Sequence, residues 1–198
     1  MDKFEDKVIL VTGAGKGTGR GVAEACAALG AKVAANDVSP VNLDETVRRI
    51  TANGGVVKAY VEDIAKKMPV QTLLNSVLDD FGRIDILVNC AEVEPLKSVL
   101  EMDDWDWQRT LDVNLNGAFL LTQSVGRIMK EKGGGVIIHV GERAREPEKR
   151  AAYFTSKAGL AALSALAAYE LSEYSIRVYH VRPEETDDVV RHILELCG

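Results

Sequence analysis

Three groups of residues in this 198-residue chain have the types and spacing to do chemistry. The string Thr12-Gly13-Ala14-Gly15-Lys16-Gly17-Thr18-Gly19 follows a β-branched apolar run and opens a helical pattern. Glycines there allow a tight turn and close backbone approach, and the helix N-terminus offers unpaired N–H groups to a pyrophosphate. Asp37, at the end of the next apolar run, carries a carboxylate that would accept hydrogen bonds from an adenosine ribose and repel a 2′-phosphate. That predicts NAD rather than NADP. Lys16 argues the other way, but from the loop and not from the ribose end. A glycine turn that serves strand–helix packing alone is the alternative. Finally, Tyr153 and Lys157 are four residues apart and share one helix face, a spacing that many helices carry by accident.

Other reactive types form no constellation. Cys26, Cys90 and Cys197 are widely separated, so neither a disulfide framework nor a metal site is expected, and a reducing cytoplasm fits. His139, His180 and His192 have no paired nucleophile and read as core or surface histidines. Trp105 and Trp107 open a long helical segment and read as packing residues more than as a ligand stack. The run Glu142–Arg150 reads as a solvated loop of mixed charge. With 24 Lys and Arg against 30 Asp and Glu, the formal charge is -6, which gives no footprint for nucleic acid. The first residues are charged where a signal peptide needs an apolar stretch, and no apolar run approaches the roughly 18 residues of a membrane span.

The elements that must position these residues alternate strictly. Strands are expected at Lys7–Thr12, Lys32–Asp37, Val56–Val61, Ile84–Asn89, Gly135–Val140 and Ile176–Val181, each an apolar run of the kind buried on both faces. Helices are expected at about Gly19–Leu29, Asn42–Asn53, Pro69–Phe81, Asp104–Lys132, Ala152–Tyr174 and Glu184–Cys197, with Gly30 and Gly82 as stops. Short connections and the absence of a linker predict one α/β domain over residues 1–198, a doubly wound, Rossmann-like parallel sheet. The expected strand order is 3-2-1-4-5-6, ending after the sixth strand.

In these motifs the chain resembles the short-chain dehydrogenase/reductase family over nearly its whole length. The loop Thr12–Gly19 is similar to the family's TGxxxGxG, Asp63 to its adenine-contacting aspartate, and Leu87–Glu92, with Asn89, to its strand-four NNAG. Asn114 and the Tyr153/Lys157 pair are similar to its active-site asparagine and YxxxK. The resemblance implies a cofactor site at Gly13, Gly17, Gly19, Asp37, Asp63 and Asn89. It also implies a tyrosine acid/base, a lysine that lowers the tyrosine pKa and holds the nicotinamide ribose, and an asparagine that supports a water relay.

The chain departs from that pattern where the chemistry is done. The family's serine is replaced around Gly141 or Glu142, and no hydroxyl lies between Ile138 and Tyr153. Losing an oxyanion donor costs roughly 10²–10³ in rate. A carboxylate there, about 5 Å from a phenolate at an effective dielectric near 20, would oppose ionisation by up to about 3 kcal/mol. Pairing of Glu142 with Arg143 or Arg145 on a solvated loop is the alternative. Two family glycines are Glu92 and Glu184 here, which adds bulk and charge against a pyrophosphate. No substrate-covering segment follows strand six. The expectation is therefore a non-catalytic subunit that binds NAD weakly or not at all and holds no metal. Its expected partner is a full-length paralogue in a hetero-oligomeric NAD-dependent hydroxyacyl-CoA or alcohol dehydrogenase. The contact would run through the long fourth and fifth helices, because Ala158–Ala168 is apolar almost all round. A homodimer through the same helices, an active NAD-dependent alcohol dehydrogenase using Tyr153 and Lys157, and an NAD-sensing module remain open.

Overall fold

The structure, a computed structural model, describes residues 3–143, 146–183 and 186–198, apart from the side chains of 186–188. Glu184 and Arg145 lie outside the described residues.

Strands β1 (Val8–Thr12), β2 (Lys32–Asp37), β3 (Val56–Val61), β4 (Ile86–Asn89), β5 (Gly135–Val140) and β6 (Ile176–Val181) form one six-stranded sheet in the order β3-β2-β1-β4-β5-β6. Every pairing is parallel. Helices α1 (Gly17–Ala28), α2 (Pro40–Ala52), α3 (Lys67–Phe81), α4 (Asp104–Leu111), α5 (Ala118–Lys132), α6 (Ala151–Leu171) and α7 (Thr186–Leu196) cover both faces. The period of two along β1 separates the two cores: Val8 and Leu10 join the cluster under α3, α5 and α6, while Ile9 and Val11 join the one under α1 and α7. This is the expected doubly wound arrangement.

The ends of elements follow local chemistry. Ser39 caps α2 by accepting from the Asn42 N–H, with Pro40 at the first turn, so that helix starts before Asn42. Gly82 ends α3 in the left-handed region at φ 74°, with its N–H donating to the Leu78 carbonyl.

Two expectations are corrected. Not every strand is buried on both faces: β3 is an edge strand, and Val56 and Val61 are half exposed because no strand among the described residues pairs with its outer side. The segment Asp104–Lys132 is not one regular helix, since Asp112–Gly117 between α4 and α5 forms a π-helical turn. Such a turn shifts the side chains beyond it relative to those before it, and Asn114 lies within it.

Leu121 on α5 is fully buried against the sheet, whereas Val41 on α2 is 76% exposed. Leu121→Ala is expected to cost about 2–5 kcal/mol in urea unfolding, and Val41→Ala within about 0.5 kcal/mol. Equal losses would contradict this assignment of the core.

Candidate active site and cofactor cleft

The C-terminal ends of β1, β2 and β4 open onto a cleft of about 820 Å³. Its floor at one end is the glycine loop. Gly13 has φ +64°, and a Cβ there would lie 2.7 Å from the Ala91 backbone, so β4 closes directly on the loop. A Cβ on Gly19 would collide with the Gly13 carbonyl. Thr12 ties the same junction, its Oγ1 accepting from the Cys90 and Ala91 N–H groups at 3.2 and 3.3 Å. Gly17 opens α1, and Lys16, Gly17 and Thr18 line the cleft. This end fits the phosphates of a nucleotide.

The two aspartates expected at the adenosine also line the cleft, and both are already engaged. Asp37 accepts from the Gly15 N–H at 2.9 Å and the Ser39 N–H at 3.0 Å, which holds the loop in shape. Burial works against ionisation of Asp63, but Arg109, 2.9 Å away, and the Ala65 N–H outweigh it and hold the carboxyl below its ordinary range. Asn89 does not line the cleft among the described residues. Strand alternation turns it toward α5, where its Nδ2 lies 3.3 Å from His139 Nδ1. His139 is fully buried, its Nε2 3.2 Å from Thr122 Oγ1, and burial pushes its pKa down to about 3, so it is a neutral core histidine as expected.

At the other end the acid/base pair is closed off. Tyr153 and Lys157 project from α6, at 0% and 2% exposure, and neither lines the cleft among the described residues. Glu92, just beyond β4, lies across them. Its Oε2 is 2.9 Å from Lys157 Nζ and accepts from Tyr153 Oη at 3.3 Å. Lys157 also donates to the Val140 carbonyl at 2.8 Å. Burial raises the Tyr153 pKa well above the usual tyrosine range, the Glu92 charge raises it further, and the Arg143 N–H donating to Oη offsets only part. Both amide N–H donors of Asn114 are engaged, its Nδ2 donating to the Val93 carbonyl and to Ser156 Oγ, each at 3.0 Å, while its Oδ1 accepts from the Val93 N–H at 2.8 Å.

Glu142 is therefore not the carboxylate that opposes Tyr153. Its Oε1 is 2.6 Å from Arg182 Nε, while the anticipated partner Arg145 lies outside the described residues. A side chain at position 141 would meet the His180 ring, since a Cβ on Gly141 would lie 2.6 Å from His180 Nε2. The place of a strand-five serine is thus filled from β6. Trp105 is corrected as well: it is 71% exposed and lines the cleft, because α4 carries it on its outer face. So is the loop before α6. Arg150 pairs with Glu94 at 2.7 Å, and Arg143 crosses the cleft mouth, its Nη2 donating to Thr18 Oγ1 at 2.8 Å and its Nε 3.9 Å from Glu92 Oε1. Sequence reasoning missed Arg143 because neighbouring charges made the run look solvated.

A family model described as short chain dehydrogenase matches residues 7–193. The chain belongs to the short-chain dehydrogenase family. Among relatives of this dehydrogenase-family chain is D-threitol dehydrogenase of Mycolicibacterium smegmatis, 36% identical over 183 residues, 91% of this chain and 70% of that protein. Another is the BbsD subunit of (2S)-[(R)-hydroxy(phenyl)methyl]succinyl-CoA dehydrogenase of Thauera aromatica, 36% identical over 181 residues, 91% of this chain and 73% of that one. The crystal structure of a metagenomic short-chain oxidoreductase in complex with NADP superposes with a TM-score of 0.93 at 31% identity, covering 98% of this chain and 91% of that one.

The dinucleotide that the family implies fits this chain in part. The loop end fits it. The Lys157 end does not, because Glu92 already takes the ammonium that would meet a nicotinamide ribose. No group of three or more His, Cys, Asp or Glu among the described residues could hold a metal ion, and no described helix is long and apolar enough to cross a membrane.

Glu92→Gln removes the charge while keeping the shape. The Tyr153 pKa, read as the difference between tyrosinate absorbance titrations with and without Tyr153→Phe, should fall in that variant yet stay above 10, the ordinary tyrosine value, because burial persists. An unchanged titration would show that Glu92 does not face the phenol.

Proposed function

We propose that this chain is a non-catalytic, short-chain-dehydrogenase-like subunit that assembles with a complete paralogue in an NAD-dependent hydroxyacyl-CoA or alcohol dehydrogenase. The single observation that carries this reading is Glu92 on the Tyr153 hydroxyl and the Lys157 ammonium. A tyrosine acid/base works at neutral pH only when an adjacent positive charge lowers its pKa. Here the lysine charge is offset by a carboxylate at 2.9 Å, and the phenol is buried. No hydroxyl stands in for the family's serine, and Asn114 has no bonding capacity left on its amide nitrogen for a water relay.

The surface of α6 supports the assembly part. Leu160, Ser164 and Ala167 face inward, while Ala158, Ala162, Ala165, Leu166 and Tyr169 are exposed. Of these, Leu166 lines a groove of about 430 Å³ between α5 and α6 together with half-exposed Phe119 of α5. The α7 helix packs on α1, where Val190 meets Gly21, so it does not cover this face. The small exposed residues of α6 allow close approach of another helix. The BbsD relative is itself described as a subunit.

A second reading keeps the dehydrogenase chemistry. Tyr153, Lys157 and Asn114 are all retained, and a relative is a D-threitol dehydrogenase. It requires Glu92 to leave Lys157.

The purified chain should give no NAD- or NADP-dependent oxidation of alcohols or reduction of ketones and acyl thioesters above background. Turnover that vanishes in Tyr153→Phe would favour the second reading. Co-expressed with a complete paralogue, the chain should appear in a mixed complex by native mass measurement, and Ala165→Glu with Leu166→Glu should release it. A monomer, or an assembly indifferent to both charges, would end the assembly proposal.

A further inference from the structure

The two ends of the cleft differ in what they leave available. At the glycine loop, backbone N–H groups, Lys16 and the Arg143 guanidinium face the open space. At the far end Glu92 and Arg143 line the space, which continues along Val93, Glu94 and Pro95, while Lys157 and Tyr153 are buried outside its lining. We propose that the cleft is a site for a short adenosine nucleotide ending in a free phosphate, the ADP class, and that it discriminates against the full dinucleotide. This rests on the reading of the chain as non-catalytic and adds what the altered site would hold.

Arg143 is the residue that sets the limit. Its Nη2 donates to Thr18 Oγ1 at 2.8 Å, and a Cβ on Gly17 would lie 3.8 Å from the same nitrogen. Its side chain is 31% exposed, so the guanidinium stands over the start of α1 with donors to spare. A planar fork of N–H groups matches a terminal phosphate bidentately, and a terminal phosphate carries more charge than the bridging phosphodiesters of a dinucleotide. Arg143 is held there from two sides, by Thr18 and by Glu92 at 3.9 Å. The volume, about 820 Å³, is of the order of small-ligand sites.

A nicotinamide riboside continuing past this phosphate would have to separate Glu92 from Lys157. Lys157 is 2% exposed, and taking Glu92 from it leaves a buried charge without its partner. The ribose hydroxyls are neutral and cannot replace the carboxylate as a counter-charge. A ligand that ends at the phosphate leaves the pair intact and adds its charge where Arg143 stands.

The test is calorimetric titration of the unmodified 198-residue chain with adenosine, ADP and NAD, with absorbance followed for NADH in parallel samples given alcohol and NAD. ADP should bind at least about tenfold tighter than NAD, equivalent to about 1.4 kcal/mol. Arg143→Ala should reduce the gain of ADP over adenosine by about tenfold or more. Glu92→Gly should remove the preference for ADP over NAD. NAD binding as tightly as ADP, or no ADP binding at millimolar concentration, would overturn the proposal while leaving a silent absorbance trace, and hence the non-catalytic reading, in place. NADH production would overturn that reading separately. The ranking on the unmodified chain decides the matter even if a variant fails to fold.

Discussion

A buried ammonium must have a counter-charge, and in this protein the Lys157 ammonium has Glu92. That requirement joins parts of the chain that are distant in sequence. Lys157 comes from α6, its hydrogen-bond acceptor Val140 from the end of β5, and Glu92 from the turn after β4. The other oxygen of Glu92 faces Arg143, which reaches across to Thr18 at the start of α1. The sheet places these strand ends side by side, as open parallel sheets do at the edge where ligands bind. The charges then join across the gap. Such a pair adds little stability relative to apolar residues of the same shape, but removing one partner is costly, so its arrangement resists being opened.

The proposed reading follows from this constraint: the outline is that of a dehydrogenase, and the site residues already have partners. The residues that mark the family are present, and each has partners within the chain. Lys157 neutralises a carboxylate, Asn114 braces Val93 and Ser156, and Asp37 holds the glycine loop. Fold membership therefore fixes the scaffold, while activity depends on which hydrogen bonds those side chains are free to make. The two ends of the cleft separate because the loop end is built mainly from backbone, which side-chain substitution barely alters. The far end is built from side chains, and there one glutamate contacts Lys157, Tyr153 and Arg143.

The architecture was legible in the sequence because period-two and period-3.6 patterns alternated without interruption, and the strand order in the sheet is the expected one. Element ends were less legible. Ser39 and Pro40 pulled α2 forward by their own capping chemistry, and the π turn around Asn114 leaves no periodic mark. In the site, the glycine loop and Asp37 were readable from spacing, and so was the prospect that a glutamate opposes Tyr153. Which glutamate was not. Glu142 is closer to Tyr153 in sequence, but β5 sends it toward Arg182, while Glu92 comes from a strand that lies next to β5 in the sheet. Arg143 and Trp105 were misjudged for a related reason: neighbours in sequence indicated solvent and core respectively, whereas the cleft that receives both exists only after folding.

The central claim, that the Glu92 carboxylate is the counter-charge of the buried Lys157 ammonium, is tested most directly by a double-mutant cycle on unfolding free energy with Glu92→Gln, Lys157→Met and the two together. The account predicts a coupling of roughly 1–3 kcal/mol, with the double variant more stable than additivity of the single changes would give. Additive effects within about 0.3–0.5 kcal/mol would contradict it, because two groups that do not share a desolvated contact have no reason to couple.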